Sequence, residues 1–539
     1  MTSDRFLPLS LRVGIFCFVW IQADSALAAE TTDEPTGSGG LHWVDGIVVA
    51  LYACGMLALG WYFGRKQQST DEYFVGNRSM NPLLIGVSLF ATLFSTISYL
   101  STPGELINHG PVVLIGVISI PISYYIVGYC LIPVYMQHRV TSAYELLEIR
   151  LGLGVRMTGA VLFVLLRLMW MAILIFLASK AMLIMLGLEL QWLPAVTFVT
   201  GVIAICYSSL GGLRAVVITD LFQFLLLFGG ASLVVVTVTL RLGSLEWIPT
   251  QWNEAWDTQP VFSLDPTVRV TVLGSVVYGV LWWVLTAGGD QTAIQRFMAT
   301  ANANAARRSF LANSIAGAAV RILLSLVGFA LLAYFQTDPQ RLGRGMTLEE
   351  SGDLLFPYFI SHHLPIGLSG LVVSGMFAAA MSSLDSGINS ITAVVMTDFV
   401  DRFRKGAKLP EKMRVRVSRL LAFGIGLAVV GSASTFMEHV PGNFLEMTQR
   451  TIGLFVTPLF LLFFLAMFIP FATQPGAIAA AASAFVCGVL VAYSDPLLGY
   501  PISFQWIFPT ALTVGITTGC VVSLATGAGR GRREETADG

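Results

Sequence analysis

Between Ala379 and Ser390 the chain reads Ala-Ala-Met-Ser-Ser-Leu-Asp-Ser-Gly-Ile-Asn-Ser. Ala379, Ser382, Ser383 and Ser386 fall at i, i+3, i+4 and i+7, so a helix puts them on one face. Hydroxyl and carbonyl oxygens are the ligands that suit a hard cation. Small-residue packing against a neighbouring helix is the competing use of the same serines. Asp385 and Asn389 weigh against packing alone, because an apolar interior does not tolerate such groups unpaired.

Three further stretches carry polar chemistry inside apolar surroundings. From Ser88 to Glu105 the residues Thr92, Ser95, Thr96, Ser98, Ser101 and Thr102 crowd one segment that runs into Pro103-Gly104. Proline lacks the backbone donor and glycine weakens a helix, so an interrupted helix is expected there. Carbonyls freed by such a break can hold a cation, whereas hydroxyls bonded back to their own helix would serve structure alone. Asp220 follows Gly211-Gly212 in the stretch Tyr207 to Gln223 and needs a cation, a base or a water path; Arg167 is an available partner. Gly288-Gly289 ends the apolar run of Trp282 and Trp283 just before Asp290-Gln291. Arg321, deep in the next apolar run, is a counter-charge for an anionic solute or an internal ion-pair partner.

The elements that position these residues are read from composition. The chain has 539 residues, 55% of them hydrophobic and 12% charged, about half the charge of a soluble protein. The apolar residues form runs long enough for about twenty helical residues to cross a bilayer. Thirteen such spans are expected between Val44 and residue 527, among them 82–106, 190–208 and 214–240. The fold class is an all-α polytopic membrane protein. Arg5 and Arg12 flank the apolar stretch Val13 to Trp20, and Ala26-Leu27-Ala28 offers a cleavage site, so residues 1–28 read as a signal peptide. Residues 29–43 are then extracytoplasmic, 44–527 the membrane-spanning domain and 528–539 a cytoplasmic tail. Basic residues from Arg402 to Arg419 fall in an expected cytoplasmic loop, which agrees with an outer amino terminus and places the chain in the cell (inner) membrane. Trp247, Trp252 and Trp256, in an outer loop, are expected at the headgroup level.

Several classes are disfavoured. A net charge of -1 suggests no nucleic-acid partner. The six cysteines and six histidines lack metal-site or redox spacing. Nucleophile–base pairs and paired catalytic carboxylates are not apparent, so an enzyme is not expected. A transporter-like solute sensor would need a signalling domain, for which no loop is long enough, and no obligate protein partner is evident beyond the lipid bilayer.

At these motifs the chain resembles the sodium:solute symporter family. The phrases Tyr207 to Gln223, Asp290 to Arg296 and Ala379 to Asp398 carry the resemblance, which runs from about His42 to Ala525. It implies a LeuT-like core of two inverted five-helix repeats, here about 82–240 and 268–468, with the first helix of each broken. It implies a sodium ion held by carbonyls of Ala91, Phe94 and Ala379 with the hydroxyls of Ser382 and Ser383. A second sodium site of some members maps to Asp220, Ser386 and Ser382, with Asp385 standing where those members have serine. Candidate solute contacts are Ser95, Ser98, Tyr99, Trp283, Thr286 and Arg321. The stretch Ser88 to Gly110 resembles the branch carrying monocarboxylates, vitamins and iodide. The implied activity is sodium-coupled import of a small solute by alternating access. A small organic anion such as a monocarboxylate leads; sugar, sialic acid or amino acid is the alternative.

Overall fold

A computed structural model describes residues 41–64, 74, 76–138, 142–343, 345–349, 351–403, 410–436 and 444–535. The expected signal peptide lies outside these residues. Among the described residues the regular elements are all helical. Eleven helices are long and apolar enough to cross a bilayer, a bent pair makes a twelfth, and the shorter apolar helix Leu190–Ile203 falls on the remaining expected span.

The first crossing is α1 (Trp43–Gly64). The second is the bent pair, α2 (Pro82–Leu93) and α3 (Thr96–Asn108), which meet at 65°. A helical run over 111–137 follows, then α4 (Leu153–Met185) and α5 (Leu193–Leu242). A straight helix of 50 residues would span about 75 Å, over twice the hydrocarbon core. The expected spans 190–208 and 214–240 therefore share one continuous helical element. The second half runs through α6 (Val272–Gly289), α7 (Gln291–Met298), α8 (Ala303–Thr337) and the short helix α9 (Gly352–His363). It continues with α10 (Leu368–Val394), α11 (Glu411–Phe436) and α12 (Phe444–Phe468). The last two crossings, α13 (Gln474–Ala492) and α14 (Ile507–Glu535), pack on each other and on α12.

Burial follows from which faces meet lipid. Helix α10 is buried along nearly its whole length and packs on α5, α1, α4 and α2. It is the centre of the bundle, so its serines and Asp385 lie in the interior. Helix α8 packs along both α2 and α3. The approach is close at Gly86, where an added Cβ would stand 2.4 Å from the Ser309 carbonyl oxygen.

Two expectations are corrected here. The broken helix does not break at Pro103-Gly104. Phe94 (φ −97°, ψ 113°) and Ser95 (φ −115°, ψ 173°) are the extended residues, and Pro103 lies inside α3. Pro103 and Gly104 instead allow close packing: Pro103 lies against Gly328 of α8, and Gly104 against Asp353 of α9. Of the three outer-loop tryptophans only Trp252 is exposed; Trp247 and Trp256 are buried. Trp256 is wedged against Gly110 (φ +88°), where a Cβ would meet the indole at 2.9 Å, and against Phe329.

Candidate functional site

The break between α2 and α3 faces the hydroxyl stripe of α10. The Ser382 hydroxyl donates to the Ala91 carbonyl at 2.7 Å and to the Ala379 carbonyl at 3.1 Å. The Ser383 hydroxyl donates to the Thr92 carbonyl at 2.9 Å. Ala91, Ala379, Ser382 and Ser383 are all buried. Phe94 stands at the break itself, where the i→i+4 ladder is interrupted and carbonyls are released. The sequence-derived oxygen set is thus gathered between two helices, with Thr92 contributing a carbonyl that the sequence did not single out. Its donor chemistry, neutral carbonyl and hydroxyl oxygens in a dry setting, is that of a monovalent hard cation.

One turn further along α10 the second candidate set is arranged differently from the expectation. Arg167 does not pair with Asp220. It binds Asp290, whose carboxylate also caps α7 by accepting from the Thr292 N–H at 2.8 Å. Asp220 accepts from the Ser88 hydroxyl at 2.5 Å and pairs with Arg296 at 3.4 Å. The Arg296 guanidinium donates to Ser386 at 2.5 Å and to Ser88 at 3.0 Å. Ser386 shares a 2.8 Å hydrogen bond with Thr92 and donates to Asp385 at 3.3 Å. Asp220, Ser386 and Asp385 therefore do converge, but around a fully buried guanidinium. Arg296 already carries a positive charge where a second ion was expected.

The first helix of the second half breaks at Asp290, extended at φ −91° and ψ 119° between the 18 residues of α6 and α7. The hydroxyls of Tyr135 and Tyr144 donate to the carbonyls of Gly288 and Gly289. Phe460 packs against both glycines, leaving no room for a side chain.

On the α3 side of the α2–α3 break lies a cavity of about 130 Å³ lined in part by Phe94, Ser95, Ser98, Trp170, Trp283 and Arg321. Two expected contacts are not on its wall. Tyr99 is turned toward α9, its ring 5.2 Å from Phe356, because its position on α3 lies well round from Ser98. Thr286 sits a turn beyond Trp282 and Trp283, and is buried. Trp170, Tyr278 and Gln449 also line the cavity; nothing in their local sequence distinguishes them from core residues. The charged side chains on the wall are Glu105 and Arg321. Glu105 is bound by Arg269 at 2.7 and 2.8 Å. Among the described residues no carboxylate pairs with Arg321.

A sequence model of the Sodium:solute symporter family matches residues 73–483. The sodium/sialic acid symporter SiaT of Proteus mirabilis is 28% identical over 83% of this chain and 89% of its own. Human sodium-coupled monocarboxylate transporter 1 is also 28% identical, over 85% of this chain and 75% of its own. The fold resembles that of a Na+-coupled sialic acid symporter solved substrate-bound and outward-open. The TM-score is 0.74 at 24% identity, covering 89% of this chain and 98% of that one. The chain belongs to the sodium:solute symporter family and is a multi-pass, LeuT-like membrane transporter that couples solute movement to sodium.

Proposed function

We propose that the chain imports a small organic anion, with a monocarboxylate as the leading class, together with sodium. The observation that carries this reading is Arg321, a guanidinium on the cavity wall with no carboxylate partner among the described residues. A charge held inside a membrane needs a counter-ion or water, and a carboxylate matches the guanidinium fork. Size favours a small solute. About 130 Å³ is close to the roughly 150 Å³ that takes a benzene ring. Names of relatives support the class: one carries monocarboxylates and another sialic acid.

In this reading sodium sits among Ala91, Phe94, Ala379, Ser382 and Ser383, and ties the broken helix to α10. That link favours the outward-facing form and completes the solute cavity beside Phe94 and Ser95. Inward, the membrane potential contributes about 2.3 kcal/mol per charge per 100 mV. The stretches 82–240 and 268–468 act as the two inverted repeats. The amino terminus lies outside the cell membrane and the carboxyl terminus in the cytoplasm.

The test is uptake into proteoliposomes under an imposed inward sodium gradient, with labelled pyruvate, acetate, sialate, proline and glucose compared. Carboxylates should accumulate with sodium and stop when the gradient is collapsed. Accumulation of glucose or proline without any carboxylate would refute the anion reading. Accumulation driven by a proton gradient alone would refute sodium as the coupling ion of this chain.

A further inference from the structure

Arg269 lies in the outer connection that leads into α6, and it touches three parts of the molecule. Its guanidinium grips both carboxylate oxygens of Glu105, at 2.7 and 2.8 Å, from the third turn of α3. Its Nε donates to Glu446, at the start of α12, at 2.7 Å. The Ser503 hydroxyl donates to its carbonyl at 2.5 Å, and the guanidinium lies over Phe504 at 5.9 Å. Three of these contacts therefore hold Arg269 to the scaffold of α12 and α14. Only the contact with Glu105 crosses to the outer half of the broken helix.

Glu105, Phe504 and Gln505 are also wall residues of the cavity. The ion pair, with the Ser503 contact, thus ties together two parts of the cavity wall, Glu105 of α3 and the segment 503–505. Its setting differs from that of the deep pairs on the arginine side: the Arg269 side chain keeps 18% exposure, whereas Glu105 keeps 2% and Arg167 and Arg296 have none. Water can reach Arg269 and solvate it when the pair separates. Glu105 lines the cavity, so water entering an open cavity solvates it too, and such a pair releases at smaller cost than one sealed in the core.

We propose that Arg269 is the outer latch of the transport pathway, anchored on the α12–α14 side and released at Glu105 when the cavity opens outward. The latch is a positioning device: it sets the balance between closed and outward-open forms and does not depend on which solute is carried.

The experiment reads accessibility and needs no solute. Thr102 lines the cavity, so Thr102→Cys is placed in a chain whose native cysteines are replaced, and sealed vesicles are treated from outside with a membrane-impermeant maleimide. Arg269→Gln should speed labelling about tenfold, the shift expected for losing a charge-assisted bidentate pair at a water boundary. Glu105→Gln should do the same, and Arg269→Lys, which keeps the charge but loses the fork, should fall between. Ala306→Cys, buried in the first turn of α8 at the end away from Arg269, should label no faster in the Arg269→Gln protein when the maleimide is applied from the other side of the membrane. A protein merely loosened by the substitution would label faster at both positions, and that result overturns the latch. So does an unchanged rate at Thr102→Cys in folded Arg269→Gln and Glu105→Gln proteins. If neither variant folds, Arg269 is a scaffold residue and the proposal fails.

Discussion

Ser382→Ala tests the proposed cation site at its most connected oxygen. The Ser382 hydroxyl bridges toward Ala91 and Ala379 at 2.7 and 3.1 Å, and Ser383 reaches Thr92 at 2.9 Å. Removing a hydroxyl therefore acts on both forms of the protein. The ion-bound form loses an interaction with a charged partner, worth about 1.5–3 kcal/mol, and the ion-free form loses a neutral hydrogen bond, worth about 0.5–1.5 kcal/mol. The difference of about 1–1.5 kcal/mol weakens sodium about five- to thirteenfold. The neighbouring Ser383→Ala shares the ion, so the double variant need not show the product of the two effects. The assay is the half-saturating sodium concentration for uptake, with choline holding ionic strength constant. A second readout, the rise of thermal midpoint with sodium, needs no knowledge of the solute. A half-saturating concentration within about twofold of the parent in both single variants and the double would refute the site, since one lost ligand alone is worth more.

Arg321→Gln should raise KM for a carboxylate solute at least about tenfold, because a hydrogen bond to a charged group is worth about 1.5–3 kcal/mol; an unchanged KM would remove the argument for an anion. Asp220→Asn and Arg296→Gln should each cost about 3–5 kcal/mol of stability by stranding a buried charge, and the double variant should lose less than the sum, as measured by unfolding in detergent. Gly86→Ala should lower the thermal midpoint by several degrees, because the new Cβ would stand 2.4 Å from the Ser309 carbonyl oxygen and force α2 from α8. His363 gives a pH dependence: burial, with the Arg241 and Arg341 guanidiniums nearby, pushes its imidazole from 6.5 down to about 4. Its Nε2 donates to the Arg341 carbonyl and its Nδ1 accepts from Tyr334, so the neutral ring is the one that fits. The folded state then binds fewer protons than the unfolded state between these values, so stability present above pH 6.5 is lost as pH falls toward 4. Thermal midpoints should show that loss in the parent and less of it in His363→Gln.

The spans were legible because each is a local property: a run of apolar residues about as long as the bilayer is thick. The hydroxyl face of α10 was legible for a similar reason, since pitch alone places Ala379, Ser382, Ser383 and Ser386 together. The helix break was not. Leu93-Phe94-Ser95-Thr96 contains no helix breaker, and the break is set by tertiary contact, with α10 hydroxyls taking the carbonyls of Ala91 and Thr92. Pro103, the obvious breaker, is absorbed where α8 approaches at Gly328. Charge partners were equally hidden. Asp220 had Arg167 available two spans earlier in the chain, yet bonds Arg296, 76 residues later. Only the packing of the two halves decides such a choice. Tyr99 shows the same limit on the cavity wall: its neighbour Ser98 lines the cavity, and one step of about 100° carries Tyr99 off it.

The ion pairs of the interior share a pattern that bears on how the halves move. Arg167 pairs with Asp290, Arg296 with Asp220, Arg156 with Asp398, and Arg269 with Glu105. In each case one partner lies in 82–240 and the other in 268–468, the two stretches expected as repeats. No sliding of one half past the other leaves all four intact. The Arg167 and Arg296 pairs are sealed from water, and separating either strands a buried charge at about 3–5 kcal/mol. A motion that keeps those two pairs closed turns about them. Its largest displacements then fall at the ends, where Arg269 meets Glu105 on the outer side and where Arg156 meets Asp398 at 2.6 Å, with Glu148 and Arg402 alongside. Arg321 fits none of these pairings, although it lies within the second stretch and on the cavity wall. Each of the four guanidiniums paired above meets a carboxylate of the opposite half; in the anion reading proposed above, a solute would supply the carboxylate for Arg321.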